Sequence, residues 1–268
     1  MKSIFDTEVL NIISNSKKTE YTSANPYPHI VIDNFLDHSI IEELIHSFPR
    51  PTDIEFYKYD NPLEKKLAMD DISRLPKFIG NVLLQFNSSI FLNFLGNITG
   101  IKNLIPDPYF RGGGIHQVEK NGKLDIHIDF NLHPKLKLER KLNAILFLNK
   151  NWKEEYGGFF EVWRGYRENN MHILESCAKK VLPIANRLVL FNVSDSAYHG
   201  HPDPLTCPDN LTRKSLALYY YVVPDAPLVP HSTIFFRRPF DKEDNSLELL
   251  RNKRSLGRLN ENIKTGNP

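Results

Sequence analysis

One short stretch of the sequence carries two side chains that can bind a metal ion. In residues 126–130, isoleucines alternate with His127 and Asp129. Successive side chains of a β-strand point to opposite faces, so His127 and Asp129 would share one face while Ile126 and Ile128 bury the other. An imidazole and a carboxylate on one rigid strand make two thirds of a site built from two histidines and one carboxylate. A third ligand must then come from elsewhere in the chain.

A second pair with the same spacing, His201 and Asp203, competes with the first. To complete a site around that pair, a further histidine is needed downstream, and only His231 follows, after the last convincing strand. For the first pair the sequence offers His199, which comes after an apolar strand at residues 187–191. His201 remains an alternative to His199 as the third ligand.

A later strand carries two residues suited to bind a carboxylate. Arg213 and Ser215 are two positions apart, so on a strand they share a face. A guanidinium fork can bind a carboxylate through two parallel hydrogen bonds, and a neighbouring hydroxyl can add a third. The sequence therefore combines a candidate metal site with a candidate anion site.

The composition is typical of a soluble globular protein that can bury a full core. Of its 268 residues, 41% are hydrophobic and 25% are charged. The net charge of +2 is too small to indicate nucleic acid or an anionic membrane as a partner. No apolar run approaches the ~18 residues of a membrane span, and the first eight residues include acids where a signal peptide needs an apolar run. The two cysteines fit a reduced, cytoplasmic setting.

The first hundred residues are predicted to be mostly helical. The apolar periodicity predicts helices over 4–15, 38–48 and 76–98, with a break in the last near residues 87–89. A strand is predicted to begin at His29, whereas residues 52–75 show only loops or short elements.

After residue 106 the pattern changes to short strands separated by Gly, Pro and Asn. The predicted strands are 110–118, 123–130, 141–149, 158–164, 171–177, 187–193 and 213–223. Seven such strands without intervening helices indicate a β-sandwich or jelly roll. Three regions follow from this pattern: a helical support at 1–104, a β core at 105–225, and a C-terminal extension at 226–268. Together they are expected to form one integrated domain.

These residues together resemble a known family. The series His127-x-Asp129, Gly157-Gly158, Tyr198-His199-Gly200 and Arg213-x-Ser215 resembles the iron(II)/2-oxoglutarate-dependent dioxygenases, and is most similar to their prolyl-4-hydroxylase-like branch. The resemblance covers roughly residues 105–223, and the segment 28–36 is also typical of that branch. Many prolyl hydroxylases carry Lys where this sequence has Arg213.

The resemblance implies a mainly β fold with flanking helices, a double-stranded β-helix (jelly roll) with N-terminal helices packed on one sheet. His127, Asp129 and His199 would bind Fe(II). Arg213 would bind the distal carboxylate of 2-oxoglutarate, with Ser215 assisting. Gln117 stands about ten residues before the metal-binding motif, where the family often has a tyrosine that contacts the cosubstrate.

The resemblance also implies a reaction. With three positions of an octahedral iron left open, 2-oxoglutarate would take two and O₂ one, giving succinate, CO₂ and a hydroxylated substrate. The resemblance also allows ascorbate as an auxiliary cofactor. Related halogenases have a small residue in place of the carboxylate, so Asp129 favours oxygenation. The substrate would be a small molecule or a peptidyl residue such as proline.

Two other functions are compatible with parts of this pattern. A divalent-metal hydrolase on a jelly roll could use the same ligands, and a non-catalytic binding protein could retain part of a site. Arg213-x-Ser215 argues against a hydrolase, which needs no carboxylate grip.

Three segments allow both a structural and a functional reading. Residues 131–140 form either a charged hairpin or a basic lid, which would suggest an acidic substrate. Gly157 and Gly158 either form a turn or allow the backbone to approach the site closely. Residues 241–268, which include Arg258, are expected to be a solvated tail, with partner binding as the alternative.

Overall fold

The computed structural model describes residues 3–169 and 171–256, which contain five α-helices and thirteen strands. The helices are α1 (Thr7–Thr22), α2 (His38–Ser47), α3 (Lys77–Phe86), α4 (Ser89–Thr99) and α5 (Asn245–Ser255). The strands are β1 (His29–Ile32), β2 (Tyr57–Asn61), β3 (Glu64–Met69), β4 (Ile105–Pro106), β5 (Gly114–Val118), β6 (Lys123–Ile128), β7 (Glu139–Phe147), β8 (Phe160–Glu168), β9 (Met171–Val181), β10 (Arg187–Asn192), β11 (His199–His201), β12 (Arg213–Val222) and β13 (Ile234–Phe235).

The strands join one antiparallel sheet that folds back on itself. Its order is β1-β10-β7-β12-β5-β3-β6-β11-β8-β9, with β13 beside β6, β2 beside β3 and β4 beside β12. All seven strands predicted after residue 106 are present, as β5 to β10 and β12. The predicted jelly roll, a double-stranded β-helix with N-terminal helices on one sheet, is confirmed.

Strand β7 shows how the sheet separates two layers. Leu142, Ala144 and Leu146 pack into the core that the helices share, whereas Asn143 and Ile145 line a cavity inside the barrel. This alternation follows from the period of two in a strand. One face of the strand therefore anchors the helices, and the other face is free to build a site.

Helices α3 and α4 supply most of the aromatic packing against the sheet. The ring of Phe91 lies 4.7 Å from Phe86 and 5.1 Å from Phe5 between ring centroids. The predicted break near residues 87–89 is confirmed, because α3 ends at Phe86 and α4 begins at Ser89. Within the described residues no single helix is long and apolar enough to cross a membrane; only α3 and α4 taken together pass that test, and they are bent by 47°.

The C-terminal region departs from the sequence-based expectation. Residues 245–255 form α5, whose Arg251 is buried and lies 3.5 Å from a carboxylate oxygen of Asp125. Arg254 forms an ion pair with buried Glu64 of β3. The prediction of a solvated tail is therefore wrong for residues 245–255, because two arginines bind carboxylates of the barrel; Arg258 lies outside the described residues.

Replacing Phe91 with Ala is expected to lower the free energy of unfolding by about 3–5 kcal/mol, because the ring is fully buried and leaves a cavity. Urea denaturation measures this change. Leu84→Ala on α3 is the control, since that side chain is 54% exposed and should change stability by no more than about 0.5 kcal/mol. Equal effects of the two substitutions would contradict the packing described.

Candidate active site

A cavity of about 390 Å³ lies inside the barrel. Its wall is built by inward-facing residues of β3, β5, β6, β7, β11 and β12, and residues 231–235 and Arg254 also contribute to the wall. The candidate metal ligands and the candidate carboxylate-binding residues all line this one cavity.

The structure brings His127, Asp129 and His199 together. Strands β6 and β11 pair with His127 directly opposite His199, and their ring centroids are 4.3 Å apart. Nε2 of His127 lies 3.8 Å from Oδ1 of Asp129, and Nε2 of His199 lies 3.5 Å from Oδ2. The three potential ligand atoms lie within 4.8 Å of one another. Two imidazoles and one carboxylate in this arrangement fit a divalent metal ion.

Hydrogen bonds to the backbone orient both imidazoles. Nδ1 of His127 lies 2.8 Å from the carbonyl oxygen of Asp125, and Nδ1 of His199 lies 2.9 Å from that of Ala197. A carbonyl oxygen only accepts, so each Nδ1 carries the hydrogen and each Nε2 presents a lone pair. Burial, together with the neighbouring His199, lowers the pKa of His127 to about 3, and burial also lowers the pKa of His199. Both rings are therefore neutral and able to bind a cation.

The Asp129 carboxylate is held from one side. Its Oδ2 accepts hydrogen bonds from Nδ2 of Asn143 at 2.7 Å and lies 3.1 Å from the guanidinium of Arg140. Arg140 donates to Oδ1 of Asn143 at 2.9 Å, and its guanidinium lies 3.4 Å from the centroid of the Tyr219 ring and 4.5 Å from that of Phe130. Burial would raise the pKa of Asp129, but the charge of Arg140 and the other nearby donors lower it. The carboxylate is ionised, and Oδ1 remains for a metal ion.

The role of Arg140 was not predicted from the sequence. In a regular strand, residues three apart face opposite sides, so Arg140 and Asn143 should not meet. The register between β7 and β12 shifts where Tyr220 pairs with Leu142 and Tyr221 pairs with Arg140. This irregularity turns Arg140 toward the same side as Asn143. No sequence pattern indicates where such a shift in register occurs.

Arg213 is a buried cation in the same cavity. Its Nε donates to the carbonyl oxygen of Gly158 at 2.7 Å, and its guanidinium lies 4.8 Å from the centroid of the Phe147 ring. Burial lowers its pKa to about 9, so it is charged at neutral pH. Among the described residues, no carboxylate forms an ion pair with it. Because a buried charge is stable only when paired, this guanidinium is suited to bind an anion. Ser215 lines the cavity two positions further along β12.

Gly158 explains how the backbone approaches Arg213. Its φ is +68°, and a Cβ there would lie 2.9 Å from Cδ of Arg213 and 2.6 Å from Cδ2 of Leu205. Only glycine allows this conformation and this close approach. The functional reading of the Gly157-Gly158 pair therefore applies to Gly158.

The structure does not bring Gln117 to the cavity. Its side chain donates to the carbonyl oxygen of Pro49 at 3.3 Å and accepts a hydrogen bond from Thr212 at 2.6 Å. Because side chains alternate along β5, the neighbours His116 and Val118 line the cavity instead. The expectation that Gln117 contacts the cosubstrate is therefore wrong, because it rested on counting residues, whereas the pleat of β5 decides which face a side chain takes.

His201 lines the cavity but does not belong to the cluster of His127, Asp129 and His199. Asp203 is 61% exposed at its side chain and forms an ion pair with Arg238 at 2.8 Å. The competing site that would begin at His201 and Asp203 is therefore not assembled, because Asp203 lies at the surface.

Residues 131–140 form a hairpin that packs onto the barrel. Leu132 pairs with Glu139 across it, and buried His133 accepts hydrogen bonds from two backbone amides of the loop. Nε2 of His133 lies 3.3 Å from Asp107. Leu132 and Pro134 line the cavity, so this hairpin forms part of its mouth.

Residues 113–221 match the sequence model of the 2OG-Fe(II) oxygenase superfamily. The chain is similar to this superfamily over these residues. The match covers all three candidate metal ligands and both Arg213 and Ser215. A search of curated protein sequences gives no match for this chain.

Among solved structures, prolyl hydroxylases and an epimerase share the fold of this chain. A prolyl hydroxylase from Trichoplax adhaerens, solved with a hypoxia inducible factor peptide fragment, has a TM-score of 0.51 at 18% identity, covering 82% of this chain and 96% of that chain. A prolyl-4-hydroxylase from Pseudomonas putida has a TM-score of 0.50 at 14% identity, covering 78% and 99%. The α-ketoglutarate-dependent epimerase SnoN from nogalamycin biosynthesis has a TM-score of 0.50 at 10% identity, covering 90% and 97%.

Replacing Asn143 with Ala is expected to weaken Fe(II) binding about 10- to 100-fold, because the amide holds Asp129 in position. Anaerobic metal titration measures this. Lys141→Ala is the control, since that side chain pairs with Glu139 outside the cluster. Equal Fe(II) affinity of the two variants would show that Asn143 does not position the carboxylate.

Proposed function

We propose that the protein is an iron(II)- and 2-oxoglutarate-dependent dioxygenase that hydroxylates an unactivated C–H bond of its substrate. The single observation that carries the proposal is the buried Arg213 guanidinium, unpaired among the described residues, in the cavity of the metal cluster. A hydrolase does not need a buried guanidinium that binds a carboxylate. A cosubstrate that chelates a metal at one end and carries a carboxylate at the other fits both the metal cluster and the Arg213 guanidinium.

In this proposal each residue has one task. His127, Asp129 and His199 hold Fe(II), while Arg213 and Ser215 bind the distal carboxylate of 2-oxoglutarate. Bound iron with 2-oxoglutarate and O₂ supplies an oxidative decarboxylation that releases succinate and CO₂ and oxidises the substrate.

The chain also shields this chemistry from water. The ring centroids of Phe191 and Phe160 lie 4.6 Å and 5.6 Å from that of His199. These apolar walls keep the imidazole neutral and strengthen the electrostatic interactions of Asp129 and Arg213. The carboxylate at Asp129 occupies the position that is small in related halogenases, which supports oxygenation.

We further propose that the substrate is a small or intermediate-sized acidic metabolite rather than a peptidyl residue such as proline. Lys58 and Arg111 line the cavity mouth and are exposed. Neither side chain forms an ion pair with a carboxylate of the described residues. The fold alone leaves both substrate classes open, since the similar structures include peptide-modifying enzymes and an epimerase.

We propose one integrated domain, in which residues 105–225 carry the catalysis and residues 1–104 support them. A cytoplasmic location is supported by Cys177 and Cys207, which are both free. The small net charge of +2 supports the absence of a nucleic-acid or membrane partner.

The test is anaerobic addition of Fe(II) and then 2-oxoglutarate, with detection of the visible charge-transfer band of the chelate. The wild-type protein should show the band. Arg213→Ala should weaken 2-oxoglutarate binding about 30-fold or more, since removing one partner of a buried charge pair costs ~2–5 kcal/mol. Lys214→Ala is the control, because that ammonium lies 5.5 Å from the Phe48 ring and does not line the cavity. Iron binding without any response to 2-oxoglutarate would favour the hydrolase.

Succinate release identifies the substrate class. A library of acidic metabolites, neutral metabolites and proline-containing peptides is offered with Fe(II), 2-oxoglutarate and O₂. We expect an acidic metabolite to stimulate succinate release and to lose this effect in a Lys58→Ala, Arg111→Ala double variant. Stimulation only by a proline peptide would contradict the proposed substrate class.

A further inference from the structure

Glu64 is a buried carboxylate in the cavity wall that pairs with two cations. The residue is 2% exposed and lies on β3, where Lys66, two positions later, shares its face and also lines the cavity. Nζ of Lys66 lies 3.4 Å from Oε2 of Glu64. The other oxygen, Oε1, accepts a hydrogen bond from Arg254 of α5. Each oxygen of this carboxylate therefore binds a different cation.

The two cations have only this carboxylate between them. Among the described residues, no other acid forms an ion pair with Lys66 or Arg254. Asp70 also lines the cavity, but its Oδ2 accepts the backbone hydrogen of Gly112 at 3.0 Å. The side chains of Lys66 and Arg254 are 16% and 9% exposed, so solvent screens little of their charge. A mostly buried positive charge in excess of its acidic partners is stabilised when it binds an anion.

Aromatic rings and a backbone contact hold both cations in place. Nζ of Lys66 lies 4.9 Å from the centroid of the Tyr59 ring, and the guanidinium of Arg254 lies 5.3 Å from that of Phe235. Oγ of Ser232 donates to the carbonyl oxygen of Arg254 at 2.6 Å, which fixes the end of α5. Tyr59, Phe235 and Ser232 line the cavity as well. Cations fixed in this way lose little freedom when they bind a ligand.

The Phe235 ring relates this pair of cations to the metal ligands. Strand β13 pairs with β6 so that Phe235 lies opposite His127, and their ring centroids are 5.5 Å apart. The Arg254 guanidinium lies against the same Phe235 ring. One aromatic ring therefore connects the excess positive charge with a metal ligand. A molecule whose anionic group binds Arg254 has its neighbouring carbons close to the metal cluster.

The outer cations of the cavity are less selective than this inner pair. Lys58 and Arg111 line the cavity, but both are exposed. Water and salt screen exposed charges, so such groups attract an anion without adding much to its binding. In a less solvated place the same charge interacts more strongly. Lys66 and Arg254 are therefore the cations that can discriminate an acidic ligand from a neutral one.

We propose that Lys66 and Arg254 form a subsite for one anionic group of the substrate, a carboxylate or a phosphate, and that Glu64 sets their positions. The carbon that is hydroxylated is near this group. The inference rests on the proposed function, because it assumes that a substrate occupies the cavity together with 2-oxoglutarate. It gives α5 a part in substrate recognition, since this helix supplies Arg254.

The experiment measures the binding of sulfate and of propionate by calorimetry, on anaerobic full-length protein loaded with Fe(II) and 2-oxoglutarate. Sulfate represents a phosphate group and propionate a carboxylate, and the anion that binds more tightly identifies the group. Lys66→Met should weaken binding of that anion about 10-fold or more, because a charge-assisted hydrogen bond is lost. Lys65→Met is the matched control, since Lys65 is exposed and does not line the cavity. It should bind both anions as the wild type does.

A variant with the opposite expected effect separates a binding subsite from a structural ion pair. Glu64→Gln removes the negative charge that Lys66 and Arg254 share, so the anion should bind about 5- to 10-fold more tightly. An ion pair with a structural role alone would give no such gain.

Three results would overturn the inference. They are no saturable binding of either anion to the wild type, equal anion affinities of Lys66→Met and Lys65→Met, and no gain in affinity in Glu64→Gln. The charge-transfer band is recorded before either anion is added, to show that 2-oxoglutarate is bound. Absence of this band in the wild type would instead reject the proposed function itself.

Discussion

The site depends on the antiparallel pairing of β6 with β11, which sets His127 directly opposite His199. Opposite side chains in such a pair lie on one face of the sheet, with Cβ atoms about 4.5–5.5 Å apart. Two imidazoles 72 positions apart in the chain therefore meet without any specific attraction between them. Asp129, two residues beyond His127, completes the cluster. A shift of one residue in this register would turn His199 out of the barrel.

The barrel interior around this pairing contains one site for a cation and a separate site for an anion. Carbonyl oxygens fix the two metal-facing imidazoles with lone pairs inward, and Arg140 with Asn143 keeps Asp129 ionised. Arg213 supplies a positive charge in the same buried space, and no carboxylate of residues 3–169 or 171–256 forms an ion pair with it. Both features are costly in a protein interior unless a ligand satisfies them. Their coexistence points to a ligand set that brings a positive metal and a negative carboxylate together.

The sequence could predict the parts of this arrangement that follow from local pattern. Short runs separated by Gly, Pro and Asn predicted seven of the strands, and the spacing of His127 and Asp129 predicted their common face. Strand β11 is only three residues long, so His199 was found by position and resemblance and not as a strand residue. Arg140 was missed because an irregular register sets its direction.

Two errors have the same origin in long-range structure. Gln117 was placed at the cosubstrate by counting residues, whereas the pleat of β5 presents His116 to the cavity. The last helix was expected to be a solvated tail because its composition is polar. Its Arg251 and Arg254 are bound by Asp125 and Glu64, acids that lie more than a hundred residues earlier. No local pattern records such partners.

The most direct test of the central claim is a crystal structure of the protein with Mn(II) and 2-oxoglutarate, grown without oxygen. The account predicts Nε2 of His127, Nε2 of His199 and a carboxylate oxygen of Asp129 on the metal, with the distal carboxylate of the keto acid against Arg213. A metal bound through His201 in place of His199, or a keto acid that leaves Arg213 unpaired, would contradict it.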